Sequence, residues 1–272
     1  MSDTTTTSLE ELLKELHLPA IRAYYPEVTR TAIAESLSYE AYLAELLSIE
    51  HEARRKNRIE RLLRESKLPL EKTLEIFDLS RFPRRVQQQV ASLLDGWFLG
   101  RRDNVLAFGN PGSGKTHLLC GLCQEMVNKG YRVLYTTTSL LVQELLAAKR
   151  DLILPKQIRK LSGYDALLID DLGYVQQNRE EIEVLFTLLA ERYERGSVLI
   201  TSNLPFSKWE SIFRDPMTTA AAIDRLVHHS VILELNLPSY RMEAAKRNGG
   251  KPKDTSTTGL MSDDTSASEG EA

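Results

Sequence analysis

The chain has 272 residues, 42% of them hydrophobic, and a formal net charge of −3. That is enough to bury one α/β domain with a smaller appendage, and it does not advertise nucleic-acid binding. No apolar run approaches the roughly 18 residues of a membrane span, and the opening MSDTTTTSLEELL lacks a basic region leading into an apolar core, so a cytoplasmic protein with no membrane partner is expected.

Residues 1–70 read as a helical N-terminal domain for oligomer, DNA or partner contacts. Leu9, Leu12, Leu13 and Leu16 recur at helical spacing, Ser8 suits an N-cap and Pro19 ends the segment. A longer amphipathic helix is expected from Ser38 to Leu63. Within it, RRKNRIERLLR (54–64) holds six basic side chains and one acid. Arg54, Arg55, Lys56, Arg58 and Arg61 would make a DNA-phosphate face, a solvated helix face, a subunit contact or a partner-docking surface. A connector follows, with a helix expected from Arg84 to Phe98.

From residue 104 strands and helices alternate. Residues 104–108 (NVLAF) suit a buried strand. Gly109-Asn110-Pro111-Gly112-Ser113-Gly114-Lys115-Thr116 is a complete G-x-x-x-x-G-K-[ST] loop. Its glycines let the backbone N–H groups converge on phosphate oxygens. The next helix, 116–128, points its positive end at the same place. Lys115 would reach the β- and γ-phosphates of ATP, and Thr116 would hold Mg²⁺. Cys120 and Cys123 lie on that helix; two ligands fall short of a zinc site, and buried packing is expected.

Strands are expected at 132–136, 166–170, 197–201 and 231–235, with helices at 139–150, 180–194, 207–213 and 219–228. The result is an α/β fold with a five-stranded parallel sheet covered by helices on both faces. Strand 166–170 ends in Asp170 and Asp171, and ligands of open α/β sheets lie at the carboxyl ends of strands. Asp170 would hold Mg²⁺. Asp171 would activate the attacking water or cap the next segment. Asn203, past strand 197–201, would meet that water or the γ-phosphate, or hold its own turn. Arg225, between Ile223 and Leu226, suits a phosphate contact; a surface ion pair with Asp224 or Glu234 is the alternative. A second basic group, Lys149, Arg150, Lys156, Arg159 and Lys160, lies between the second and third strands. Residues 249–272 are Ser/Thr/Gly/Asp-rich and acidic, and a disordered tail is expected there.

The series GNPGSGKTH, LLIDDLGY, LITSNLPF and AAIDRLVHH, preceded by KTLEIFDLS, resembles the IstB-like transposition helper ATPases. These are AAA+ proteins related to the DnaC helicase loader and the DnaA initiator. The resemblance spans residues 8–247. It implies an AAA+ ATPase domain over 71–248, with the lid minimal or absent. It implies a Walker A element at 109–116, with His117 beside it among the nucleotide-binding residues. Asp170 and Asp171 would be Walker B, Asp171 standing where many AAA+ proteins have Glu. Asn203 would be sensor 1, Arg225 an arginine finger for a neighbouring subunit, and Arg241 a second sensor. The implied protein is a homo-oligomer with intersubunit ATP sites that assembles on duplex DNA, remodels it and recruits or stimulates a cognate transposase. A replicative helicase loader is the nearest rival. A phosphate-loop kinase and a nucleotide-gated binding module are the others.

Overall fold

The structure, a computed structural model, describes residues 8–173, 178–209 and 216–237. Helix α1 (Leu9–Glu15) starts on a capping box in which Ser8 and Glu11 each take the other's backbone N–H. Pro19 both follows that helix and opens α2 (Pro19–Ala34), where its fixed φ suits the first turn. Helix α3 (Tyr39–Ser66) is capped by Ser38. Its first half closes a small core with α1 and α2, built on Leu13, Ile21, Val28 and Leu46. Further along, Leu62 joins the main core, so one continuous helix ties the N-terminal helices to the rest of the chain.

Glu50 on α3 is buried, and its Oε2 accepts the N–H groups of Ala20 (2.9 Å) and Ile21 (3.2 Å) at the start of α2. Burial raises its carboxyl pKa. The hydrogen bonds from Arg54, Ile21 and Ala20 outweigh that and bring it below the usual value. A carboxylate depressed in this way stabilises the fold above its unfolded pKa, and the contribution is lost as pH falls through the folded one.

Five parallel strands follow: β1 (Asn104–Phe108), β2 (Val133–Thr137), β3 (Ala166–Leu172), β4 (Ser197–Ser202) and β5 (Ser230–Glu234). Their spatial order is β2-β3-β4-β1-β5. The central strands β1 and β4 are buried along their whole length, as a sheet covered on both faces requires. Alternate residues feed two cores. Val105, Ala107, Leu168 and Leu199 face α4 (Arg84–Leu94) and α6 (Lys115–Asn128). Leu106, Leu167, Ile169 and Ile200 face α7 (Thr138–Arg150), α8 (Leu154–Ser162), α9 (Arg179–Arg192) and α10 (Pro216–Val227). Cys120 and Cys123 are free and packed in the first core. Burial pushes the Cys120 thiol up to about 12.

Two local departures from the expected elements have clear causes. The helix from Arg84 stops at Leu94 because Gly96 turns left-handed (φ 82°), and a short helix α5 (Trp97–Arg101) follows. Helix α8 was not expected. Pro155 sits in its first turn, and Ile158 and Leu161 give it a narrow buried stripe.

The connections position the site. The chain leaves β1 for α6 on one face, while β4 leads to α10 on the other. Adjacent strands whose connections diverge leave a crevice at their carboxyl ends, where α/β proteins bind ligands.

Candidate functional site: a phosphate loop and an acidic strand end

Strand β1 delivers the chain to Gly109, which has φ 153°. A Cβ there would lie 2.2 Å from the carbonyl oxygen of Leu235, so only glycine lets the loop pass the end of β5. Gly112 (φ 78°) and Gly114 (φ 96°) are left-handed, and a Cβ on Gly114 would meet the Phe77 ring at 2.8 Å. The loop ends at the N-terminus of the fourteen-residue helix α6, whose first-turn N–H groups have no partner within the helix. The Lys115 ammonium is nearly buried and donates to the carbonyls of Gly109 (2.9 Å) and Asn110 (3.0 Å). Ser113 Oγ is buried without a hydrogen-bond partner. A cationic, donor-rich cradle with an orphaned hydroxyl, which no side chain could fill, fits a phosphate chain.

The acidic element meets this loop directly. Thr116 Oγ1 donates to Asp170 Oδ1 at 2.8 Å, so the two side chains expected to hold Mg²⁺ lie together. Three further groups hold Asp170. Thr201 Oγ1 donates a short hydrogen bond to Oδ1, Tyr135 Oη donates to Oδ2 (3.1 Å), and Thr138 Oγ1 donates to its carbonyl (2.9 Å). Burial, and then the Asp170 charge, raises the Tyr135 phenol pKa and keeps it a donor.

Between Ile169 and Leu172 the β3–β4 register slips by one residue. The extra residue makes a bulge. Asp171 is exposed, with φ 59°, a conformation Asp tolerates better than most residues. Its N–H goes to Thr201 Oγ1 at 2.9 Å. The cap of α9 is Asn178, which accepts the Glu181 N–H at 2.9 Å.

Thr201 thus holds both aspartates, and neither it nor Tyr135 stood out in the sequence. Thr201→Val should cost about 1–3 kcal/mol, the usual loss when a buried group loses its partner, and Thr201→Ser should recover most of it. Urea unfolding measures both; a valine variant as stable as the parent would mean the bulge holds itself.

Asn203 lines a cleft of about 290 Å³ with Phe108, Gly109, Asn110 and Glu234, beside the start of the phosphate loop. The turn after β4 is held by Ser202, whose Oγ accepts the Leu204 N–H (3.1 Å) and donates to the Leu172 carbonyl (2.8 Å). His117 is engaged by the 69–77 connector. Its Nε2 pairs with the Thr73 carbonyl (2.8 Å) and its ring lies 5.1 Å from Phe77. With Leu74 against Gly121 and Pro69 accepting from Gln124, the 69–77 connector lies along α6.

Arg225 lies toward the amino ends of the strands. Leu226, next to it on α10, accepts from the Asn104 side chain (3.0 Å) at the start of β1. Gly109 lies five residues further on, about 16 Å along a strand. The Arg225 guanidinium sits 4.8 Å over the Phe186 ring and donates to the Ala221 carbonyl (3.3 Å). Among the described residues it pairs with neither Asp224 nor Glu234. Arg241 and the tail at 249–272 lie outside the described residues.

The two basic groups differ. Arg54 is held by Glu50 (2.8 Å) and the His17 carbonyl (2.6 Å). Arg55 pairs with Glu52 (3.5 Å), Arg61 with Glu65 (3.9 Å), and Arg58 donates to the Gly130 carbonyl (3.3 Å). Lys56 is exposed. In the second group Lys149 pairs with Glu183 (3.0 Å) and Arg150 with Asp151 (3.7 Å). Lys156, Arg159 and Lys160 are exposed on one face of α8, opposite Ile158 and Leu161. Leu152 and Ile153 project beside them, 89% and 50% exposed.

Known proteins share this arrangement. The family described as IstB-like ATP binding protein matches residues 11–248. The insertion sequence ATP-binding protein y4iQ/y4nD/y4sD of Sinorhizobium fredii is 42% identical over 252 residues, covering 91% of this chain and 84% of that protein. The insertion sequence IS21 ATP-binding protein of Pseudomonas aeruginosa is 36% identical, covering 91% and 93%. Among solved structures, the DnaC helicase loader superposes with a TM-score of 0.52 at 16% identity, covering 61% of this chain and 97% of that one; at that identity the likeness concerns the fold. No helix among the described residues is long and apolar enough to cross a membrane. With its phosphate loop, acidic strand end and β2-β3-β4-β1-β5 sheet, the chain belongs to the IstB-like ATP-binding family of insertion sequences and is an AAA+ ATPase.

Proposed function

We propose that this ATPase is the DNA-bound switch of an insertion sequence: it assembles with ATP on duplex DNA, remodels the target and recruits or stimulates the transposase. The observation that carries this reading is the match, over nine-tenths of the chain, to insertion-sequence ATP-binding proteins. A helicase loader is the second reading, favoured by the extent of the DnaC superposition and weakened by its low identity.

The residues divide the work. The N–H groups of 109–116 and the Lys115 ammonium bind and orient the ATP phosphates. Thr116 and Asp170 would hold Mg²⁺, which neutralises charge on the β- and γ-phosphates. Tyr135 and Thr201 keep Asp170 aimed through their hydrogen bonds to its carboxylate. Asp171, presented by the bulge, takes the proton of the attacking water or orients it. Asn203 fixes that water from the next strand. Arg225 serves the site of a neighbouring copy, because α10 ends where β1 begins. Arg241 remains a proposed second sensor. The N-terminal helices make the remaining subunit and partner contacts, and the protein works in the cytoplasm, where its DNA is.

The exposed α8 cations with the apolar tip at Leu152 and Ile153 are the better DNA face, since most of the 54–61 cluster is engaged within the protein. Each phosphate contact contributes about −0.9 to the log–log salt slope of duplex binding. Neutralising Lys156, Arg159 and Lys160 together should therefore flatten the slope by about 3. Neutralising Arg54, Arg55 and Arg58 should leave the slope unchanged and lower the melting temperature through Glu50. Fluorescence anisotropy of labelled duplex across a salt series, with ATP, decides this; a slope that follows the 54–58 cluster reverses the assignment. Failure of ATP to promote assembly on duplex DNA in electron micrographs would remove the switch itself.

A further inference from the structure

We propose that Glu194, His228 and His229 form a surface site for a transition-metal dication of the zinc class. The three come from two turns. Glu194 lies between α9 and β4, and His228 and His229 lie between α10 and β5. One ligand atom from each lies within 4.8 Å of the other two. A tetrahedral ion with bonds of about 2.0–2.1 Å places its donors roughly 3.3 Å apart. All three side chains are exposed, so closing that gap takes a shift of about an ångström at the solvent-facing ends of the side chains.

The backbones are already anchored. The Glu194 carbonyl accepts from Arg102 (2.7 Å), the His228 N–H donates to the Asp224 carbonyl (3.0 Å), and the His229 carbonyl accepts from the Asn104 N–H (2.7 Å). The two imidazole rings lie 4.2 Å apart at 57°. His228 Nδ1 is 2.9 Å from Tyr193 Oη. In the tautomer that donates from Nδ1 to the phenol, the Nε2 lone pair is left for a metal, and this is how ligating histidines are oriented in metal sites. Two imidazoles and a carboxylate suit zinc, whereas magnesium and calcium favour oxygen alone. The exposed side leaves a fourth position for water.

The site is separate from the nucleotide centre. It sits at the amino ends of the strands, beside Asn104, while the phosphate loop lies at their carboxyl ends. Competing soft ligands are few. The only two cysteines are buried, and His117 Nε2 is occupied by Thr73. An ion here would join the α9–β4 turn to the end of the helix that carries Arg225.

The test uses the full-length chain without an added histidine tag, stripped of metal and free of nucleotide. Calorimetric titration with Zn²⁺ should show one site per chain, and Co²⁺ should develop the visible absorption of a low-coordinate nitrogen–oxygen site. His229→Ala and Glu194→Ala should each weaken zinc binding by at least 10-fold. Tyr193→Phe, which touches no metal, should weaken it by about 10-fold, as loss of an orienting partner does. Circular dichroism should be unchanged in all of them. Equal zinc stoichiometry and affinity in the parent and in the His228→Ala/His229→Ala double variant would overturn the proposal. So would a parent chain that takes up no zinc at micromolar metal.

Discussion

Lys115→Ala should abolish ATP binding while leaving the fold intact. The ammonium is the cation at the mouth of a loop otherwise built from backbone dipoles. It is held between the Gly109 and Asn110 carbonyls at 2.9 and 3.0 Å, where the phosphate chain is to be bound. Hydrogen bonds to charged groups are each worth about 1.5–3 kcal/mol. Losing two of them weakens ATP by roughly 10²–10⁴-fold, at about 1.4 kcal/mol per decade. Two readouts separate this from misfolding. ATP at about 100 times its dissociation constant should stabilise the parent by about 2.7 kcal/mol and the variant by almost nothing. The unliganded melting temperatures should agree within a few degrees, because the side chain serves the loop and not a core. A variant that keeps its ATP-induced shift would remove Lys115 from the site.

Arg225→Ala should leave ATP binding by the separate chain unchanged and lower hydrolysis in the assembly by about 10²-fold. Arginine fingers in other phosphate-loop enzymes reach 10³–10⁵, and a switch needs slower turnover. The basis is distance. Arg225 lies near Asn104 at the amino end of β1, about 16 Å of strand away from Gly109, so it serves another copy's site or none. Mixing decides which. Lys115→Ala chains cannot bind ATP but still present Arg225, and Arg225→Ala chains bind ATP but lack the finger. Combined, they should recover hydrolysis that neither has alone. Co-assembled mixtures that stay inactive would make Arg225 a packing residue, stacked on Phe186 and nothing more.

The phosphate loop was legible in the sequence because its work is done by consecutive backbone. Glycines at positive φ, a lysine and a hydroxyl at set offsets are all local requirements. The strands were legible for a similar reason, since β1, β3 and β4 are buried nearly end to end and must be apolar on both faces. Asp170 could be read as the residue where an apolar run ends in a carboxylate. Its partners could not. Thr201 and Tyr135 are ordinary strand residues until β3 is placed between β2 and β4; only that pairing brings their hydroxyls to one carboxylate. The bulge that turns Asp171 outward depends equally on the neighbouring strand, because a register slip exists only between two strands. The charge run at 54–61 shows the complementary case. Local spacing displayed the cations, but only the packing of α2 on α3 showed that Glu50 holds the start of α2 and takes Arg54 with it. Arg225 was visible as an arginine on an amphipathic helix. Its distance from the phosphate loop follows from the path of the chain, because α10 packs along one face of the sheet and ends at the amino ends of the strands. Chemistry carried by consecutive residues is written in local sequence; chemistry assembled from separate strands is decided by their order and register, which no local pattern encodes.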